Sequence, residues 1–339
     1  MSKIQHTIWD RTAKLFCLYL TVSITFLLAC SNVSGTENEQ EESNSRENSI
    51  PEGVVKITPE TDLYPPVIHS TEWAAPVPVQ GPVNTAGIED AAVISDDGST
   101  LLFFFTPDGN LPAEEQLTDG VSGVWWCNRT TGGWSEPERA LLASPDEMHL
   151  DGSLALVDDK FWFCSARVGN YNSIDIYTAD FSGTDWINWQ NAGQLLNQEY
   201  AVGELYPTRN NQIIYYANTS SEGFGGHDLW YTQKEGTSWS TPINLQPPIN
   251  TVMDEAQPFI SSDGNELWFT RFNSGMGYYG PAIYRSVKTT DGWSEPVEIV
   301  SNYVGDVGMD EEGNIYFTHL FYDENHNKIE ADIYTSIRL

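Results

Sequence analysis

With 48 acidic against 16 basic side chains over 339 residues, the chain carries a formal charge of −32, which repels nucleic acid and anionic lipid surfaces alike. An acidity of this size fits a cationic ligand, bound calcium, or solubility in a salty exterior. A 40 % hydrophobic content with 12 % aromatic residues is enough for a folded body, so the excess charge is carried by its surface and by its linkers.

The first segment stands apart from any fold. Lys3, Arg11 and Lys14 precede an apolar run from Leu15 to Ala29 that stops at Cys30, the pattern of a bacterial export signal over residues 1–29. The run is too short and wrongly flanked for a spanning helix. Leu27-Leu28-Ala29-Cys30 resembles the lipobox of bacterial lipoproteins. That resemblance implies an acylated Cys30 inserted in a lipid bilayer, and acyl chains anchor at about 0.8 kcal/mol per buried CH₂. Ser31 stands where an aspartate would mark inner-membrane retention, so the same resemblance implies outer-membrane delivery, facing either the periplasm or the cell surface.

From Ser31 to about Pro59 the chain is rich in Ser, Asn and Glu and has no aromatic residue. Such a stretch cannot bury enough apolar surface to order itself, so residues 30–65 are expected to form a lipidated cysteine and a flexible acidic linker.

Beyond it, one pattern recurs five times, each copy opening with a carboxylate at one equivalent position: Glu89, Asp151, Glu204, Glu255 and Asp306, spaced by 62, 53, 51 and 51 residues. A period of this length is one propeller blade or one solenoid turn. The fourth copy is the clearest, running Glu255 to Ser261, a turn at Asp263-Gly264, then Leu267 to Arg271, Ala282 to Ser286 and Trp293 to Ile299. Apolar runs bounded by Gly, Asn and Asp are strands and hairpins. The second strand recurs at Leu101, Phe161, Ile213, Leu267 and Ile315, and the third at Val124, Asp175, Asp228, Ala282 and Asp332. Trp134, Trp186 or Trp189, Trp239 and Trp293 mark a fourth, where a following proline is tolerated because an outermost strand has a free edge.

Four antiparallel strands per unit predict an all-β, five-bladed β-propeller over residues 66–339. The last copy has no fourth strand of its own, whereas Trp73 to Val79 carries the outer-strand signature ahead of the first copy. The N-terminal segment is therefore expected to complete the last blade and fasten the ring, leaving no open edge.

In the fourth copy EAQPFISSDGNELWFTR, and in GGHDLWY of the third, the units resemble the TolB-like β-propeller repeat. The likeness spans roughly residues 66–339, with degenerate second and fifth copies and without the N-terminal α/β domain of TolB itself. It implies the fold strongly and a Tol-type role weakly.

In a propeller the loops entering the innermost strands share one face with the loops between second and third strands. Glu89, Asp90, Asp151, Glu204, Glu255 and Asp306 are thus expected at one mouth, joined by Arg167, Arg271 and His319, with Tyr171, Asn273, Tyr278 and Tyr279 close behind. This predicts a polar, aromatic-rimmed ligand site for a polysaccharide, peptide or envelope protein. A repeated acid can equally accept backbone N–H bonds or pair with a neighbouring arginine. Otherwise converging carboxylates repel unless water, arginine or a cation such as calcium or sodium intervenes.

The enzymatic alternative is a glycoside hydrolase or polysaccharide lyase, for which Asp90, Asp151 and Glu204 are the candidate acids; hydrolysis needs one protonated acid and one carboxylate across the scissile bond. The five-bladed arabinanase, β-xylosidase and invertase groups are similar in outline, but the invertase WMNDPNG, RDP and EC motifs are absent. Neither HExxH, a CxxC pair, GxSxG nor a glycine-rich phosphate loop occurs, and His149, His227 and His319 fall on different copies. Asp323, Asn325 and Asn327 begin like a calcium loop, but Lys328 occupies the glycine position, so a polar hairpin is expected. Cys127 and Cys164 would lie on neighbouring blades, either bridged or as buried thiols.

Overall fold

The computed structural model describes residues 45–339; the expected signal, the lipobox and Cys30 lie outside the described residues. Each sequence copy folds as an antiparallel meander. The first comprises Ile88–Ile94, Thr100–Thr106 and Gly123–Thr130, with the short outer strands Gly133–Trp134 and Glu138–Arg139. The second comprises His149–Val157, Lys160–Arg167, Asp175–Phe181 and Trp186–Asn191. The third comprises Leu205–Pro207, Ile213–Asn218 and Asp228–Glu235, edged by Ser238–Trp239 and Ile243–Asn244. The fourth comprises Glu255–Ile260, Glu266–Arg271 and Ala282–Thr289, edged by Gly292–Trp293 and Val297–Ser301. The fifth is Val304–Met309, Ile315–Tyr322 and Lys328–Ser336.

The fifth meander takes its outer strand from the N-terminal side: Val77–Pro78 pairs with Thr335 and Tyr334, and Trp73 bridges Arg338. A parallel bridge between Ala331 and Ile88 then joins the fifth copy to the first. A further strand, Val67–Ile68, extends the fourth meander beyond Ser301, an addition with no sequence signature.

The second strands supply most of the core. Phe103, Phe105, Phe161, Phe163, Tyr216, Trp268, Phe269 and Phe317 are all fully buried. Such side chains each contribute roughly 1.5–3 kcal/mol by leaving water. Neighbouring sheets meet through rings, with Tyr206 edge-on to Phe259 at 4.8 Å and Trp73 edge-on to Trp268 at 5.5 Å.

The innermost strands are not uniform, and this positions the site. Four of them carry a bulge that interrupts the ladder, and its extra residue has a left-handed backbone: Ala91, Ser153, Gln257 and Asp306, at φ between 47° and 55°. Only three residues of the third copy's innermost strand pair, without a break in register. A one-residue shift in a strand sends its side chains to the opposite face.

Residues 45–65, expected to be linker, lie against the folded body. Ser45 caps the one-turn helix Arg46–Ser49, whose Arg46 is buried. Further along, Lys56 pairs with Glu330 and with Asp332, Asp62 with His319, and Pro65 accepts a hydrogen bond from Asn302. What holds this stretch is charge: composition made it too polar to build its own core, but its cations reach acids that the sheets bury. No helix among the described residues is long and apolar enough to cross a membrane.

Candidate functional site

The acids that open the copies divide into two sets, set by the register of the ladders. Glu89, Asp151 and Glu255 sit opposite Phe105, Ser165 and Arg271, at one equivalent position. In the third copy the residue at that position is Gly203, since Glu204 bonds across to Ala217. In the fifth it is Val304, opposite His319, and Asp306 is the bulge residue two places on. The expectation that five acids occupy one position is therefore corrected: spacing alone cannot register a bulge, and Glu204 and Asp306 face elsewhere.

The first set is internal to the sheets. Glu255 accepts Thr251 N–H at 3.0 Å and Thr251 Oγ1 at 2.6 Å, and Arg271 Nε at 2.8 Å. Arg271 also donates to Ile249 O at 2.9 Å and stacks on Tyr284, 4.6 Å from the ring centre. Asp151 repeats the scheme with Arg167 at 2.8 Å, which donates to Leu142 O and lies 4.3 Å from the Tyr177 ring; His149 adds a second partner at 2.6 Å. Despite its burial, Asp151 is held below the usual carboxylate range by His149 and Arg167 together.

Glu89 has the same threonine clamp, from Thr85 N–H at 2.9 Å and Thr85 Oγ1 at 2.6 Å, yet Phe105 stands where the fourth copy has Arg271. Its guanidinium comes from Arg46, at 3.0 Å from Glu89, bonded to Val83 O at 2.7 Å and set over Phe103 and Trp125. Burial still outweighs that cation and lifts the Glu89 carboxyl to about 7. Arg167, Arg271 and His319, expected as unrepeated groups at the mouth, are instead the partners that these acids and Asp62 hold. His319 is fully buried and Arg167 nearly so.

The second set lines open space. Asp90, Glu204 and Asp306 border a cavity of ≈ 630 Å³ walled mainly by the first, third, fourth and fifth copies. Glu204 and Asp306 also border its narrow continuation of ≈ 40 Å³, so they mark the floor. Glu204 accepts the backbone N–H of Gln257; Asp306 takes a hydrogen bond from Gln257 Nε2 at 2.6 Å. The Gln257 side chain can lie there because Gly305 has no Cβ, which would come within 2.7 Å of its Oε1. Asp90 caps its own neighbour, Ala91 N–H, at 2.9 Å. Among the described residues no lysine or arginine forms an ion pair with any of the three.

The electrostatic consequence is direct. Glu204 and Asp306, half-buried on this floor, lose hydration with no lysine or arginine beside them. Burial, the Asp90 and Glu204 charges, and a carboxyl–carboxyl contact with Asp90 push Asp306 well up. Glu204 is lifted to about 7, first by burial and then by Asp90, with His227 opposing. His227 is itself raised, chiefly by its bond to Asp254. No group of three or more His, Cys, Asp or Glu among the described residues is arranged to hold a metal ion.

The mouth of the cavity is aromatic, and most of it was missed in sequence. Tyr279, which was expected, is joined by Tyr303, Tyr322 and His326. Tyr303 stacks on Tyr322 at 3.9 Å, bonds His326 Nδ1 at 2.8 Å, and adopts φ = 58°, a costly conformation for a ring-bearing residue. Gly280 makes room, since a Cβ there would meet the Tyr303 ring at 2.1 Å. Tyr64, from the N-terminal stretch, stacks on His326 at 5.3 Å. Tyr171, Asn273 and Tyr278 do not line the cavity. The turn after Tyr322 is the expected polar hairpin, with Asp323 accepting from Asn325 and Asn327 N–H. Clusters of this kind were invisible because tyrosine also serves the core throughout. The available signal was the non-glycine turn Asn302-Tyr303.

Cys127 and Cys164 are free thiols, both pushed up to about 12 by burial.

No family model matches the sequence, and no curated protein does. Among solved structures the chain is similar to TolB from Acinetobacter baumannii, at 10 % identity and a TM-score of 0.40 over 75 % of this chain and 55 % of that one. It is similar to a putative TolB from Agrobacterium tumefaciens at 13 % identity, TM-score 0.42, over 82 % and 87 % of the two chains. A third likeness is the Bacteroides ovatus protein titled "Xyloglucan PUL GH43B", at 12 % identity, TM-score 0.43, over 76 % of this chain and 53 % of that one. The chain thus spans about half the length of the first and third of these. The all-β, antiparallel architecture rests on the strand pairing itself.

Proposed function

We propose that this chain is a five-bladed propeller, held at the bacterial outer membrane by lipid on Cys30, that binds a polysaccharide, peptide or envelope-protein segment in the ≈ 630 Å³ cavity. Five meanders and the pairing of Val77–Pro78 with the last of them support the blade count and the closure. The observation that carries the binding role is the contrast between the two sets of acids: Glu89, Asp151 and Glu255 each hold a guanidinium, whereas Asp90, Glu204 and Asp306 face open space without one. Carboxyl groups half-withdrawn from water without a counter-charge are costly unless a ligand uses them. Stacked rings at the mouth suit a flat apolar face such as that of a sugar.

One observation favours a second reading, a glycoside hydrolase. A Glu204 carboxyl lifted to about 7 would supply a proton donor near neutrality, with Asp90, on the same cavity, as the second acid. Asp151 cannot complete that trio, being bonded to Arg167 and His149 away from the cavity.

Calorimetric titration with oligosaccharides and short peptides, together with assay of new reducing ends, separates the readings. Saturable binding without turnover, lost in Glu204→Gln, supports the binding protein; turnover lost in Glu204→Gln supports the hydrolase. Binding and turnover both unaffected by the substitution would remove the cavity from either account.

A further inference from the structure

Beside each of the acids Glu89, Asp151 and Glu255 on the innermost strands stands a guanidinium set over an aromatic ring. Arg271 lies over Tyr284 and Arg167 over Tyr177. For Glu89 the repeat lacks one, and Arg46 reaches in from 43 residues away to fill the place. The cavity floor departs from this rule. Asp90, Glu204 and Asp306 border one cavity, and among the described residues no lysine or arginine pairs with them.

A second observation points to a ligand at the same place. Thr318, on the fifth copy, lines this cavity, is 1 % exposed, and its Oγ1 has no hydrogen-bond partner. The fourth copy's equivalent, Thr270 Oγ1, accepts Asp306 N–H at 3.3 Å; in the next copy the corresponding amide, Ala91 N–H, is taken by Asp90. Thr318 Oγ1 is thus left without a partner at the wall of the cavity. A buried hydroxyl in that state costs stability until something bonds to it.

We propose that the ligand of this cavity presents a cationic nitrogen, an ammonium or guanidinium group, that docks between Asp90, Glu204 and Asp306 and donates to Thr318 Oγ1. The group does in the cavity what Arg46, Arg167 and Arg271 do within the sheets, and Tyr322 and Tyr303 above it provide the π faces. His227, Lys328 and His326 stand on the walls of the same cavity. This rests on the cavity being a binding site. Two sources carry such a group, an amino sugar and a basic peptide side chain.

The test is titration with matched pairs: glucosamine trimer against its N-acetylated form, and a pentapeptide containing lysine or arginine against its norleucine counterpart. The charged member of at least one pair should bind with one-to-one stoichiometry and about tenfold tighter than its neutral isostere. That advantage should vanish in Asp306→Asn/Glu204→Gln. Whichever pair shows it identifies the source. Equal affinity for charged and neutral members overturns the inference while leaving the binding site itself standing; no binding by any member overturns both. A preference that survives the double substitution would assign it to the acidic surface and overturn the proposal, as would saturation of the three acids by calcium or sodium alone.

Discussion

Arg46 and Glu89 are bonded at 3.0 Å across 43 residues, both side chains almost wholly buried, one before the first copy of the repeat and one inside it. The N-terminal stretch is therefore a structural part of the first meander. It provides the guanidinium that Phe105 displaced.

Removing Arg46 leaves Glu89 buried with only the threonine clamp. Arg46→Ala should cost about 3–5 kcal/mol of unfolding free energy, the range for breaking one side of a buried pair. Glu89→Gln in the same chain should return part of it, because no uncompensated charge remains. Urea denaturation of the two single variants and the double variant measures the coupling.

Much of this was legible in the sequence and some was not, for reasons that can be named. Strand order could be read because the second strands are continuous apolar runs and the fourth carry tryptophan. The pairing of Val77–Pro78 with Thr335 was likewise readable, from a strand missing at one end and spare at the other. The placing of the acids was not, since Glu204 and Asp306 are displaced by a missing bulge and a present one. Residues 45–65 were misjudged because composition measures whether a segment can fold alone, and this one is held by Arg46, Lys56 and Asp62 against partners far along the chain.

Stability should fall as pH rises through neutrality. Glu204 and Glu89 have folded values near 7 against an ordinary 4.5, so the folded state holds more protons than the unfolded chain between these limits. Their contribution is fully present below about 4.5 and is lost as pH rises through about 7. The melting temperature should be higher at pH 5.5 than at pH 8. Glu204→Gln should flatten that slope.

The mouth should be separable from the core. Tyr303→Phe removes the hydroxyl bonded to His326 Nδ1 and keeps the ring stacked on Tyr322. Stability should change by about 0.5–1.5 kcal/mol, the worth of one hydrogen bond. Tyr322→Ala should weaken ligand binding far more than Tyr303→Phe, as measured by calorimetry.

Cys127 and Cys164 should resist modification. With both thiols raised to about 12 by burial, native protein should not react with a disulfide reagent at pH 8, whereas urea-unfolded protein should titrate both. Reducing agent should leave the melting temperature unchanged, as the thiols are free.

The division of the acids into a structural and a ligand-facing set is tested most directly by the urea stability of two neutralised variants at pH 8. Glu255→Gln discards the partner of Arg271 and should lose about 3–5 kcal/mol, whereas Glu204→Gln relieves repulsion with Asp90 and should match or exceed the parent protein. A loss in Glu204→Gln as large as that in Glu255→Gln would contradict the division and make Glu204 another member of the fold's framework.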